Sequence, residues 1–377
     1  MSLTGPGLVI ILGIAAAIVF AALATGWPRN RSRRGRPTLL LAIQRTGGLV
    51  LLNVLVLAVA GALLNDQYSF YVSWADLFGA RAPSTVSRHG ASATAAASTK
   101  VGGGLAAILG AGTLPPLPSP GQRVQTYTVV GPRSHLTGQV AVLLPQGYDP
   151  RSARRYPVVE AFHGVPGTVN SWLSGMHAQA AFDGLVTARQ LAPSIVVLPQ
   201  VNIPYGLDSE CIDGPPGTPQ TETWLATDIP RFVATHFRVR LDRGSWAAAG
   251  FSEGAYCAAL VGMHHPGVFG AALALGGYFR PIFSLDYQPY TARTLPLRDN
   301  LIWVAGHRPP ALALWIQTSH QDGLSYPSTA AFLRAVRRPL SVTTLIIKTG
   351  GHRESLWATE LPTALRWLAA SLPGFRA

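Results

Sequence analysis

The residues best placed to do chemistry lie in the stretch Trp246 to Leu260, WAAAGFSEGAYCAAL, where Gly250-Phe251-Ser252-Glu253-Gly254 separates a small apolar run from an Ala-rich helical pattern. A Gly-x-Ser-x-Gly between a buried strand and a helix is the sharp turn that lifts a serine hydroxyl above a sheet edge. Glycines flank the serine because its backbone is strained and side chains beside it would collide with neighbouring main chain. Such a serine attacks carbonyl carbon and forms an acyl-enzyme, provided that a base, an acid and donors for the oxyanion accompany it. A glycine-rich chain can produce the five-residue pattern by chance, so its weight rests on those partners.

The elements that must position them begin with two apolar stretches. The hydrophobic fraction of 48% against only 12% charged residues exceeds the norm for a soluble protein. Residues 6–27 carry no charge and suit one transmembrane helix; MSLTGPG lacks the basic start of a signal peptide. A second span covers 38–64, with Arg45 near enough to its start to snorkel towards the loop. Between the spans lie Arg29, Arg31, Arg33, Arg34 and Arg36, which places this loop in the cytoplasm and everything after the second span outside. These arginines also explain much of the +13 net charge, and no nucleic-acid motif accompanies them. No nucleic-acid partner is expected, whereas the lipid bilayer is.

The domain reading follows from composition. Residues 1–80 form the anchor, ending in an aromatic interfacial segment with Tyr68, Phe70, Tyr71, Trp74 and Phe78; 81–121 read as a flexible Ala/Ser/Gly/Pro linker; 122–377 form the catalytic domain. In that domain VQTYTVV and QVAVLLP predict a hairpin, and YPVVEAFHG, SIVVLPQ, GAALALGG, ALALWIQTS and VTTLIIKTG predict buried strands alternating with helical segments. This is an α/β class, a mostly parallel sheet with helices on both faces, whose chemistry occurs at the carboxyl ends of its strands.

Position in that order selects among ten histidines. His352 follows VTTLIIKTGG and precedes the last helix, as the α/β-hydrolase order serine, acid, histidine requires. Asp322, just past ALALWIQTS, is the acid that would orient it, with Asp286, Asp299 and Glu354 as fallbacks. The N–H of Glu253 and that of Val165 are the expected oxyanion donors; Pro166 has no N–H to give. His163 reads as structural, and His264 and His265 as surface or capping residues. Cys211 and Cys257 are a disulfide candidate, permitted outside the cytoplasm, with two free thiols as the alternative. Neither has a partner at metal-ligand spacing, and no metal or cofactor is expected.

The run Pro145-Gln146-Gly147-Tyr148-Asp149 through Arg155-Tyr156-Pro157-Val158-Val159 to His163-Gly164 resembles the opening of the esterase D-like branch of the α/β-hydrolases, which includes the mycolyltransferases. Thr221-Glu222-Thr223-Trp224-Leu225, Asp228-Ile229-Pro230, Phe237-Arg238-Val239, Asp242-Arg243, the serine turn and Gly350-Gly351-His352 with Trp357 are similar in order and spacing. The resemblance covers roughly residues 122–372, implies an α/β-hydrolase fold, and places nucleophile, acid and base on Ser252, Asp322 and His352. Glu253 departs from the apolar residue usual there. The expected function is a membrane-tethered, outward-facing serine esterase acting on an ester or acyl-lipid substrate. Its rivals are an acyltransferase of the same mechanism and a non-catalytic envelope-binding fold; the sequence leaves the oligomeric state open.

Overall fold

The structure, a computed structural model, describes residues 3–29, 38–80, 83–102, 104–105, 108, 119 and 121–377. Arg31, Arg33, Arg34 and Arg36 of the basic loop lie outside the described residues. Two compact units form: Met1–Ala82 with Thr349–His352, and Pro83–Lys348 with Arg353–Ala377.

In the smaller unit α1 (Pro6–Arg29) and α2 (Thr38–Tyr68) are uninterrupted helices, because prolines occur only at the ends of α1, at Pro6 and Pro28, and not at all in α2. Their stretches Pro6–Gly26 and Ala42–Tyr68 are long and apolar enough to cross a membrane. Polar side chains within them are satisfied locally, Thr25 Oγ1 donating to Ala21 O at 2.8 Å and Asn53 Nδ2 to Leu49 O at 2.9 Å. Gly48 lets the two helices approach: a Cβ there would lie 2.6 Å from Leu23 Cδ2. Beyond α2, the one-turn helix α3 (Trp74–Leu77) is capped by Ser73 Oγ, which accepts from Asp76 N.

The larger unit is organised by β1 (Ser84–Gly90), β2 (Val124–Val130), β3 (Thr137–Leu143), β4 (Val158–Phe162), β5 (Ile195–Pro199), β6 (Trp246–Phe251), β7 (Ala271–Leu275), β8 (Ala313–Ser319) and β9 (Ser341–Ile347). They form one sheet in the order β1-β9-β8-β7-β6-β4-β5-β3-β2. From β9 across to β5 all neighbours are parallel; the pairings β5–β3 and β3–β2 at one edge and β9–β1 at the other are antiparallel. The expected hairpin is β2–β3, Val124 pairing with Leu143 and Val130 with Thr137. The helices are α4 (Ala93–Ser98), α5 (Ser171–Ser174), α6 (Ala178–Thr187), α7 (Thr221–Thr223), α8 (Ile229–His236), α9 (Glu253–His264), α10 (Leu301–His307), α11 (Ser325–Ala335) and α12 (Glu354–Ser371).

Side chains alternate along the strands between two apolar cores. Val158 and Phe162 of β4 join the core under α8 and α9, while Val159 and Ala161 join the one under α6 and α12. A parallel sheet covered on both faces buries every strand residue, which is why these strands read as continuous apolar runs.

The segment 81–121, expected to be a flexible linker, contains β1 and α4. β1 pairs along its whole length with β9, and α4 is held by Arg243, whose Nη1 donates to Ala97 O at 2.6 Å and Thr99 O at 3.0 Å. Neither element shows in the apolar pattern, because the side chains of β1 are nearly all exposed and its stability comes from main-chain pairing.

One residue breaks the apolar rule of the central strands. Glu160 in the middle of β4 is fully buried, and neither carboxyl oxygen has a hydrogen-bond partner among the described residues. Burial pushes its carboxyl well above the ordinary range, so it destabilises the fold increasingly as pH rises above the ordinary carboxyl value of about 4.3. Glu160→Met, similar in volume and without the acid, is expected to raise the apparent Tm at pH 8 by several degrees, measured by thermal denaturation; a lowered Tm would contradict this.

Candidate active site

Strand β6 runs directly into α9 through Ser252, whose φ of 54° and ψ of −124° are found in few non-glycine residues. The turn is held by Ser252 N–H donating to Leu275 O at 2.9 Å and Ala255 N–H donating to Ser252 O at 3.0 Å. Its two glycines are sterically required. A Cβ on Gly250 would overlap Gly254 O, and one on Gly254 would overlap Phe162 O and His163 O. The loop after β4 also comes close, since a Cβ on Gly164 would sit 3.0 Å from Ser252 Cβ.

The register places the acid candidate on the same sheet edge. Phe251 pairs with Leu275, Leu275 with Gln317, and Asp322 lies three residues beyond the end of β8. Asp322 is buried, and its Oδ1 accepts from Leu324 N and Ser325 N, both at 3.0 Å, which orients the carboxylate at the start of α11. Of the fallbacks, Asp286 is exposed, Glu354 opens α12, and Asp299 is pushed up to about 6 by burial and by the neighbouring charge of Glu222. His352 belongs to the smaller unit, five residues after β9, where its N–H donates to Ser69 O at 2.9 Å.

The expected oxyanion residues fall on either side of the turn. Glu253 is the first residue of α9, so its N–H is one of the donors a helix start leaves open. Val165 stands in the loop after β4 with its side chain 44% exposed, so this position is open to solvent. His163 beside it is structural: its Nδ1–H donates to Gly164 O at 2.9 Å and its Nε2 accepts from Val201 N at 3.2 Å. Both ring nitrogens are thereby engaged, and burial lowers its pKa.

The side chain of Glu253 has an environment of its own. It is buried, with Oε2 accepting from Asn202 Nδ2 at 3.1 Å, in a group that includes Asp208 and Glu210. Burial, then the charges of Asp208 and Glu210, holds its carboxyl well above the ordinary range. Glu210 is likewise raised, although it accepts from Tyr278 Oη at 2.6 Å and Ile282 N at 3.0 Å. The loop carrying these acids is joined to α9 by a Cys211–Cys257 bridge with Cα atoms 5.4 Å apart, within the usual span for a disulfide. Asn202, Asp208, Glu210 and Tyr278 were not identified from sequence. The one signal was Asp208, Glu210 and Asp213 clustered around Cys211 in a chain with few acids.

His264 and His265 are not simple surface residues. Both contact Glu222 Oε1, at 3.0 and 2.8 Å, and Arg298 Nη2 reaches the same oxygen. These partners overcome burial and hold Glu222 well below the ordinary carboxylate range.

A family model described as "Putative esterase" matches residues 137–370. The chain belongs to this esterase family. Solved structures agree on its fold. A ferulic acid esterase is similar with a TM-score of 0.55 at 20% identity, over 66% of this chain and 98% of that one. An S-formylglutathione hydrolase from Agrobacterium tumefaciens gives 0.54 at 15%, over 66% and 95%. A fluorophosphonate-binding serine hydrolase of Staphylococcus aureus gives 0.54 at 14%, over 65% and 97%. These likenesses establish the α/β-hydrolase fold. An uncharacterized protein of Corynebacterium glutamicum is 21% identical over 238 residues, 60% of this esterase and 55% of that protein. The chain thus spans about half the length of this curated relative.

The buried acids give the fold a pH signature. A carboxyl raised in the folded state binds a proton that the unfolded chain has lost, so stability falls as pH rises from about 4.3 towards the folded value. Glu253→Gln supplies a permanently neutral amide, and the fall in apparent Tm between pH 5 and 8 should become shallower than in the parent. An unchanged slope would show that Glu253 is ionised in the folded protein.

Proposed function

We propose that the chain is a membrane-tethered serine esterase facing outward, with the sheet-bearing part of the chain from Pro83 onward as the catalytic domain and Ser252, Asp322 and His352 as its triad. The observation carrying this reading is the Ser252 turn, with its positive φ of 54° at the carboxyl edge of a parallel sheet. A backbone so strained persists only where the surrounding structure enforces it, and here it presents a hydroxyl. His352 takes the serine proton as Ser252 Oγ attacks the ester carbonyl, and Asp322 holds the imidazole tautomer and stabilises the imidazolium. The N–H groups of Glu253 and Val165 stabilise the oxyanion. His352 then protonates the leaving alkoxide, and water, activated by the same imidazole, releases the acid and restores Ser252.

Two apolar helices flanking a basic loop support the tether and an outward-facing catalytic domain. The bridged cysteines accord with an oxidising compartment. A reporter fused after Ala377 should be active only outside the cytoplasm; a cytoplasmic signal would overturn the topology.

Kinetics on a short-chain p-nitrophenyl ester test the chemistry. Ser252→Ala and His352→Ala should each lower kcat by about 10⁴-fold or more, with folding retained by thermal denaturation. Hydrolysis at the parent rate in either variant would end the assignment of that residue. Added glycerol or trehalose should leave free acid as the main product; preferential acyl-glycerol or acyl-trehalose would establish acyl transfer instead.

A further inference from the structure

We propose that the juxtamembrane turn Asn65–Tyr71 is a positioning element of the active site, holding the loop that carries His352. The inference rests on the reading of His352 as base, and it concerns the smaller unit alone. In that unit the backbone N–H of His352 donates to Ser69 O at 2.9 Å. Its neighbour Gly351 packs so tightly that a Cβ would overlap Ser69 O and Phe70 O. Two consecutive residues of the histidine loop therefore lie against two consecutive residues of the turn.

The turn is built to keep that carbonyl fixed. Ser69 has a left-handed φ of 53°, and its N–H donates to Asn65 O at 2.8 Å. The side chain of Asn65 closes the turn from the other end: Nδ2 donates to Tyr71 O at 2.9 Å, and Oδ1 accepts from Tyr71 N at 2.8 Å. Nδ2 also reaches Leu3 O at 3.2 Å, joining the start of the chain to the same point. Tyr68 and Phe70 stack across the turn with ring centroids 5.5 Å apart. An amide with both ends engaged ties the last turn of α2 to the residues that follow it, and Ser69 O is the acceptor presented there.

A general base works only when its imidazole is held within a fraction of an ångström of its productive position. On this account the second apolar helix contributes more than attachment. Its outer end sets where the base stands, so Asn65 acts on catalysis through Ser69 and His352 without touching substrate.

The test uses the full-length chain in detergent micelles and a short-chain p-nitrophenyl ester. Asn65→Ala should lower kcat by about 10²-fold with KM within about twofold, and should move the acid limb of the kcat/KM pH profile. Gly351→Ala attacks the same contact from the other side and should reproduce the loss. The double variant should fall no further than the worse single one, because both act through one contact. Asn65→Asp, which keeps the acceptor for Tyr71 N and loses the donors, should recover part of the rate. Parent-like kcat in both Asn65→Ala and Gly351→Ala, with His352→Ala inactive in the same preparation, would overturn the positioning role and leave the base intact. Parent-like kcat in His352→Ala would instead remove the base reading itself. Should Asn65→Ala fail to fold, Gly351→Ala decides alone: an unchanged kcat and pH profile in that variant overturns the proposal.

Discussion

The structure depends on one steric constraint, the crowding of main chain around Ser252. Gly250 meets Gly254 O, and Gly254 meets the carbonyls of Phe162 and His163, so neither position has room for a Cβ. Only under that compression does a serine settle at a φ of 54°. The surrounding sequence follows from the same closeness. Ala247, Ala248 and Ala249 in β6 and Ala255, Ala258 and Ala259 in α9 are all buried, and Gly262 lies against Ala272 and Leu312. Small residues let strand and helix approach; larger ones would push α9 outward and relax the turn.

Buried acids are handled in two ways. Glu222 is compensated by His264, His265 and Arg298 and stays ionised, tying α7, the end of α9 and the segment before α10 together. Glu160, Glu210 and Glu253 are instead held well above the ordinary carboxyl range, by burial first, which costs stability as pH rises. Glu253 stands next to Ser252, and Glu210 next to Cys211.

Much of this was legible in the sequence because it is local. The apolar runs of the parallel strands, the small-residue turn and the two long apolar helices are each written in consecutive residues. What escaped depends on contacts made at long range. β1 is an edge strand without an apolar face, and α4 is held by Arg243 from 144 to 147 residues away, so both read as linker. The partners of Glu253 lie 43 to 51 residues upstream, in a loop whose composition suggests only turns. The placing of His352 by strand order was a topological argument, and its backbone bond to Ser69 had no counterpart in the pattern of residue types.

The central claim is that Ser252 is the group that becomes acylated. Its most direct test is to treat the full-length chain in detergent with a fluorophosphonate probe, digest it, and locate the adduct by peptide mass spectrometry. The account predicts a single phosphonylated site on the peptide containing Gly250–Gly254, assigned to Ser252 by fragmentation, and no labelling after heat denaturation. An adduct on another serine, or no adduct on folded protein, would contradict it.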